Sequence, residues 1–374
     1  MFDNFLSVVF GAISSALICF GIIATAKWHG RWSFDHVIGK QKFHQQPTPR
    51  IGGLALIGGA LIAFSSTSDS ELLNIFRPVL VCAFIPFFFG FREDLTKKVS
   101  VFERMLAGLV AAGAVIWLTK IYLSHVDVWG IDALLSFTPL AIIFTLVAVS
   151  GLTNAINILD GFHGLASGTS FLIALTLALI ALQVGDHDLS DMAFILAGCL
   201  LGFMVFNYPF GKIFLGDSGA YFTGFILAWL AILLGERNSE VSPWASLLVC
   251  AYPIWEALFS IARRLKNKVG ATHADDLHLH TLLKRRLVRK YLGHYPARVR
   301  NAAVAPLIWC VTVVLGFIAW QFKGSPLILM GAFFIFAVLY GIVYRALMSM
   351  PDIDVGVDVG IEGVSTSSDG GSGN

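Results

Sequence analysis

Charge is scarce in this chain. Of its 374 residues only 13% are charged, while 56% are hydrophobic and mean hydropathy is +0.76. A soluble domain of this size carries about a quarter charged residues, so the composition excludes one and specifies an integral membrane protein. Paired cysteine spacing is lacking too. Cys19, Cys82, Cys199, Cys250 and Cys310 all fall inside apolar stretches, where they read as small buried residues and not as a disulfide or metal framework. Alternation of apolar and polar residues is missing from those stretches, which favours helices over a barrel. The first stretch has no basic segment before it and is too long for a cleaved signal, so it reads as a retained helix. No internal repeat is evident, so an inverted-repeat transporter gains no support.

What is present is a series of eleven apolar stretches, near 4–26, 51–66, 76–92, 105–119, 133–152, 164–184, 191–207, 218–235, 243–262, 302–321 and 325–345. Crossing the hydrocarbon as a helix takes roughly 17–25 residues, so the expected fold is an all-α polytopic membrane protein of eleven spans. Residues 1–350 read as one transmembrane domain. The tail from 351 to 374, ending in Ser, Gly and Asp, has the composition of a disordered segment. If the amino terminus is outside, 22 of the 26 Lys and Arg residues lie in cytoplasmic segments and only Arg77, Lys120, Arg237 and Lys323 lie opposite. The positive-inside rule therefore places the carboxyl terminus in the cytoplasm.

With that orientation the polar motifs gather on the cytoplasmic side. Asn154-Ala155-Ile156-Asn157-Ile158-Leu159-Asp160-Gly161-Phe162-His163-Gly164 puts two amides, a carboxylate and an imidazole between two apolar blocks. Polar groups at the membrane edge are costly, and a cluster of them marks a functional site. Glu93 and Asp94 close the third stretch. Adjacent residues on a helix point about 100° apart, so one acid can face a cation while the other meets a lysine or a reacting group; the alternative is a solvated helix end paired with Lys97 and Lys98.

In Asn207-Tyr208-Pro209-Phe210-Gly211-Lys212-Ile213-Phe214-Leu215-Gly216-Asp217-Ser218-Gly219, Asp217 or Ser218 stands where a helix cap belongs. A helix start offers free N–H groups to an anion, and a carboxylate there can instead recruit Mg²⁺, with Lys212 as a phosphate counter-charge. His273-Ala274-Asp275-Asp276-Leu277-His278-Leu279-His280 resembles a zinc site only superficially, because residues two apart do not face each other on a helix. Anion binding or a merely polar loop are its other readings. Lys42, His44 and Arg50, around Pro47-Thr48-Pro49-Arg50-Ile51-Gly52-Gly53, serve either as topogenic charge or as phosphate contacts. The basic run Lys284-Arg285-Arg286 with Arg289 and Lys290 is explained by topology and anionic headgroups.

Together the motifs supply acids for one divalent cation, phosphate-seeking cations and amides for a heterocycle, all at one membrane surface. At these residues the chain resembles the polyprenyl-phosphate N-acetylhexosamine-1-phosphate transferases. The resemblance rests on Pro-Thr-Pro-Arg-x-Gly-Gly, the acid pair, Asn-Ala-x-Asn-x-x-Asp-Gly, Phe-x-Gly-Asp-x-Gly and Asp-x-x-His-x-His, in that order. It implies transfer of a sugar 1-phosphate from a UDP-N-acetylhexosamine to undecaprenyl phosphate, with release of UMP. It further implies Mg²⁺ (Mn²⁺ substituting), a bacterial inner-membrane location, a role in O-antigen or other envelope polysaccharide synthesis, a homodimer and no nucleic-acid partner.

Carried over by resemblance, Asp217 is the principal metal ligand. Glu93 and Asp94 lie at the diphosphate and lipid phosphate, one as base or metal partner. Asn157 contacts the metal–diphosphate region, Asp160 and His163 lie toward the nucleotide with Asn154 nearby, and Asp275, His278 and His280 line the sugar-diphosphate pocket. Three departures stand out. Glu93 replaces the usual aspartate, which favours Asp94 as base. His163 replaces an acid or amide. Thr281 interrupts a third histidine, which argues against a MurNAc-pentapeptide substrate. The competing reading, a transporter or lipid flippase, expects ionisable residues near the midplane of the spans; a purely structural scaffold leaves the motifs unexplained.

Overall fold

The computed structural model describes residues 2–35, 47–65, 70–268, 275 and 277–351. Lys42, His44, His273, Asp276 and the 352–374 tail lie outside the described residues.

Among the described residues the chain is all-α apart from one short strand pair. Helix α1 (Phe2–Ala24) turns by 88° at Thr25 into α2 (Ala26–Ser33). Strands β1 (Phe34–Asp35) and β2 (Thr48–Pro49) pair antiparallel, Phe34 with Pro49 and Asp35 with Thr48. Helices α3 (Gly53–Ser65), α4 (Ser70–Thr96), α5 (Val101–Thr119), α6 (Trp129–Leu135), α7 (Thr138–Ile158), α8 (Leu165–Gln183), α9 (His187–Asn207) and α10 (Gly216–Arg237) follow. Helix α11 (Pro243–Val249) meets α12 (Ala251–Lys266) at a 77° break. Beyond it, α13 (Leu279–Leu282) runs through a π-helical turn, Leu283–Val288, into α14 (Arg289–Leu292), followed by α15 (Ala297–Ala302), α16 (Val304–Gln321) and α17 (Pro326–Ser349).

The eleven apolar stretches fall on helices, though not every one of those helices is by itself long and apolar enough to cross a bilayer. Among the described residues seven helices are long and apolar enough to span a bilayer, nine if each bent pair is one span. Helix α3 is apolar but only 13 residues long, about 20 Å of rise, short of a ~30 Å hydrocarbon core.

Helix α10 is the centre of the bundle. It is apolar around its whole circumference, as a helix enclosed on all sides must be, and nearly all of its residues are buried. Helices α3, α4, α7, α8 and α9 surround it. Its first residues, the ends of α4 and α7, and the start of α5 meet at one end of the bundle, and that end carries the polar motifs.

Candidate active site

The site is built on the first turn of α10. Gly216 opens it with φ +74°, a left-handed conformation that favours glycine. A Cβ there would lie 2.6 Å from Asp94 Oδ2. On the facing helix, a Cβ at Gly90 would lie 2.7 Å from the Asp217 carbonyl oxygen, so the last turn of α4 presses directly on α10, the close approach that small residues permit in membrane bundles.

That contact lets Asp94 cap α10 from another helix. Its Oδ1 accepts from the Asp217 N–H at 2.8 Å, and its Oδ2 accepts from the Ser218 N–H at 2.9 Å and the Ser218 hydroxyl at 2.6 Å. Arg50 Nε lies 3.4 Å from Oδ1. The Asp94 side chain is 0% exposed. Free N–H groups at a helix start need such acceptors, and a buried carboxylate needs such donors. Glu93, the other member of the acid pair, turns away and accepts from the Val99 N–H at 2.8 Å. The two acids therefore diverge, as their helical spacing predicts.

Asp217 is held by two guanidinium groups. Arg50 Nη2 donates to Oδ1 at 2.5 Å, and Arg104 Nη1 donates to Oδ2. Arg50 comes from the segment after β2, which is fixed because Arg50 N–H bonds the Ser33 carbonyl and the Gly52 and Gly53 N–H groups bond Phe214 and Leu215. Arg104 comes from the first turn of α5, where Ser100 and Glu103 form a capping box. Asp160 closes the third side, its Oδ2 accepting from the Gly216 N–H at 3.0 Å. Burial pushes the Asp160 carboxyl up to about 7; the charge of Arg50 pulls it back and that of Asp217 adds to the rise.

The other motif residues sort by place. Asn154 donates along its own helix to the Ser150 carbonyl at 2.8 Å. Asn157 is half-buried in the last turn of α7, and among the described residues no hydrogen bond to its side chain is seen. His163 stacks on Phe214 and its Nδ1 lies 3.2 Å from the Pro209 carbonyl, so it supports the 208–215 loop from below. Asn207 ties the same two loops together: its Oδ1 accepts from Gly164 N–H and Ser167 hydroxyl, and its Nδ2 donates to the Ile213 carbonyl. Lys212 is exposed at the rim, its Nζ 5.4 Å from the Phe210 ring, which Arg298 also covers.

Asp275, His278 and His280 form a second cluster. Asp275 accepts from Ser260 and from Arg263 at 2.5 Å, and these bonds outweigh burial and lower its carboxyl to about 2. His278 and His280 stack with centroids 5.2 Å apart. The Phe162 ring, two residues beyond Asp160, meets His280 edge-on at 5.6 Å and underlies Lys284 Nζ at 5.5 Å. One loop thus touches both clusters. Among the described residues no three His, Cys, Asp or Glu side chains converge as a ready-made metal cage.

Two participants escaped the sequence reading. Arg104 counted only as topogenic charge. Glu256, which touches His278, is a solitary acid inside the 243–262 stretch, and that isolation was signal enough.

The sequence that builds this site has known relatives. The profile of glycosyl transferase family 4 matches residues 76–235. A phospho-N-acetylmuramoyl-pentapeptide-transferase of Streptococcus equi subsp. zooepidemicus is 30% identical over 61% of this chain and 75% of its own length. The chain belongs to glycosyl transferase family 4. Within the family it is also similar to a probable undecaprenyl-phosphate N-acetylglucosaminyl 1-phosphate transferase of Bacillus subtilis, 30% identical over 64% of this chain and 66% of that protein. The undecaprenyl-phosphate alpha-N-acetylglucosaminyl 1-phosphate transferase of Yersinia pestis is 28% identical over 66% of this chain and 68% of its own length. The matched region thus spans about two thirds of these two relatives, and the family match ends with α10, just short of Glu256.

Proposed function

We propose that this family 4 member transfers an N-acetylhexosamine 1-phosphate from a UDP-N-acetylhexosamine to undecaprenyl phosphate and releases UMP. The observation that carries this reading is the convergence of Arg50 and Arg104, from separate elements, on Asp217 at the start of the buried helix α10. Two guanidinium groups, a helix N-terminus and three acids at a membrane edge suit a reaction between two phosphate-bearing substrates, one of them anchored in lipid.

The donor set fits Mg²⁺. It consists of hard oxygen ligands, and Mg²⁺ takes one or two carboxylates plus substrate phosphates while keeping water. Asp94 already has its oxygens filled by α10, which makes it the group that fixes Asp217. Asp217 Oδ1 and Oδ2 each accept one hydrogen bond and keep a lone pair, so Asp217, with Asn157, would hold the metal. When bound, Mg²⁺ neutralises the diphosphate oxygens and so eases attack at phosphorus.

The reaction is balanced without an outside energy source. An oxygen of the lipid phosphate attacks the phosphorus attached to the sugar, the bond to the UMP phosphate breaks, and one phosphoanhydride replaces another. Arg50 and Arg104 are placed to take up phosphate charge as it shifts toward the leaving UMP. The cluster of Asp275, His278 and His280, joined to this centre by Phe162, is the surface left for the sugar end of the donor. Names of two relatives support GlcNAc as the first sugar to test.

Purified protein in nanodiscs, given undecaprenyl phosphate and a panel of UDP-N-acetylhexosamines, should release UMP in a Mg²⁺-dependent way. No release with any sugar of the panel would overturn the proposal and return the transporter reading.

A further inference from the structure

Glu256 is the one acid in the 243–262 stretch, it is 1% exposed, and the transfer chemistry above gives it no part. Yet four groups turn toward its carboxylate. Oε1 lies 3.0 Å from His278 Nδ1 and accepts from the Leu279 N–H at 3.2 Å. Oε2 accepts from the Tyr340 hydroxyl at 2.9 Å and the Tyr252 hydroxyl at 3.4 Å. A carboxylate has about four lone-pair sites, so these partners occupy all of them. Tyr252 and Tyr340 come from the helices α12 and α17, whereas His278 and Leu279 stand at the start of the described segment 277–292. The carboxylate therefore ties that segment to two helices of the bundle.

The histidines are oriented as a result. A carboxylate only accepts, so His278 presents a protonated Nδ1 to Glu256. Its Nε2 faces Asp275 at 3.8 Å. His280, stacked on His278 with an interplanar angle of 7°, has its Nδ1 4.0 Å from Glu256 Oε2 and 3.4 Å from the Tyr252 hydroxyl. Through its edge contact with Phe162, His280 reaches the loop whose Asp160 holds the first N–H of α10.

We propose that Glu256 is a positioning residue: its carboxylate fixes the ring orientation of His278 and His280 and so shapes the surface that meets the sugar end of the donor. The proposal rests on the transfer reaction proposed above. It assigns Glu256 an effect on donor binding that runs through His278 and His280 and leaves the reacting centre at Asp217 alone.

A double-variant cycle tests it, with UDP-GlcNAc as donor and undecaprenyl phosphate saturating. Glu256→Ala should raise the KM for UDP-GlcNAc about tenfold and change kcat by less than about threefold, the pattern of lost ground-state binding. Glu256→Gln, whose amide oxygen still accepts from His278 and Leu279, should restore most of the affinity. In a His278→Ala background the Glu256→Ala change should add clearly less than it does in the wild type, because coupled residues are non-additive. Independent multiplication of the two effects, or a wild-type KM in Glu256→Ala, would overturn the proposal.

A second readout needs no turnover. In protein labelled with ¹⁵N-histidine, both Glu256→Ala and Glu256→Gln should shift the His278 Nδ1 resonance, and an unmoved resonance would overturn the proposal. Should Glu256→Ala not fold, Glu256→Gln carries this test. A wild type inactive on every UDP-sugar, with the resonance still shifting, would instead reject the transfer reaction and leave the positioning contact standing.

Discussion

At the scale of single residues, Asp94 and Asp217 carry different tasks at the start of α10. Asp94 accepts three hydrogen bonds from α10 while fully enclosed, so Asp94→Ala leaves buried donors unmet, each worth about 1–3 kcal/mol. The variant should lose turnover and also unfold at a lower temperature in nanodiscs; an unchanged unfolding temperature would deny Asp94 its capping task. Asp217→Ala should lose UMP release as well, while near-normal release would remove Asp217 from the metal role. His280 carries a pH dependence. Burial lowers its imidazole from 6.5 to about 4, against the pull of Glu256. Between those values the unfolded chain binds the proton and the folded one does not, so stability falls as pH drops from 6.5 toward 4 and is unaffected above 6.5. His280→Gln should flatten that part of the unfolding-temperature profile. Which acids cluster was legible in Asp94, Asp160 and Asp217; their partners were not, because Arg50 meets Asp217 across 167 residues and no local pattern encodes such a distance.

At the scale of elements, the start of α10 depends on a backbone that only close packing and a left-handed glycine allow. Gly216→Ala would place a Cβ 2.6 Å from Asp94 Oδ2 at φ +74°, shifting the first turn. A misplacement of about 1 Å costs roughly a hundredfold in rate, and that is the expected loss of UMP release. Gly185→Ala is the control: φ is +81° there too, but nothing lies within 4 Å of the added Cβ, so turnover should stay normal. Equal losses in both variants would mean backbone strain, not the contact with Asp94, governs the site. The apolar stretches announced most helices because long apolar runs have few other forms in lipid. The breaks were less visible. Helix α1 turns at Thr25, whose hydroxyl bonds the Gly21 carbonyl at 2.6 Å, and α2 carries Lys27, Trp28, Arg31 and Trp32 in an alternation of basic and aromatic residues that marks an interface helix. The β1–β2 pair is only two residues long on each side, too short for any periodicity to reveal, yet it delivers Arg50 to the site.

At the scale of the whole molecule, the polar motifs and the basic residues agree on one end of the bundle. Asp94, Asp160, Asp217 and Arg50 meet there, and the end of α4 and start of α5 bring Arg92, Lys97, Lys98 and Arg104 to the same end. A UDP-sugar does not cross a bilayer, so a donor site at that end requires it to face the cytoplasm, the orientation that the charge asymmetry independently favours. Single cysteines can read this directly. Of the native cysteines, Cys19, Cys82, Cys199 and Cys250 are buried and only Cys310 is exposed, so a Cys310→Ser background leaves little to label. Lys98 and His187 are exposed at opposite ends of the bundle. His187→Cys should react with a membrane-impermeant maleimide in intact cells, and Lys98→Cys only after the membrane is permeabilised. The reverse pattern would put Asp217 on the outer face, away from any nucleotide donor, and would break the link between the charge distribution and the site.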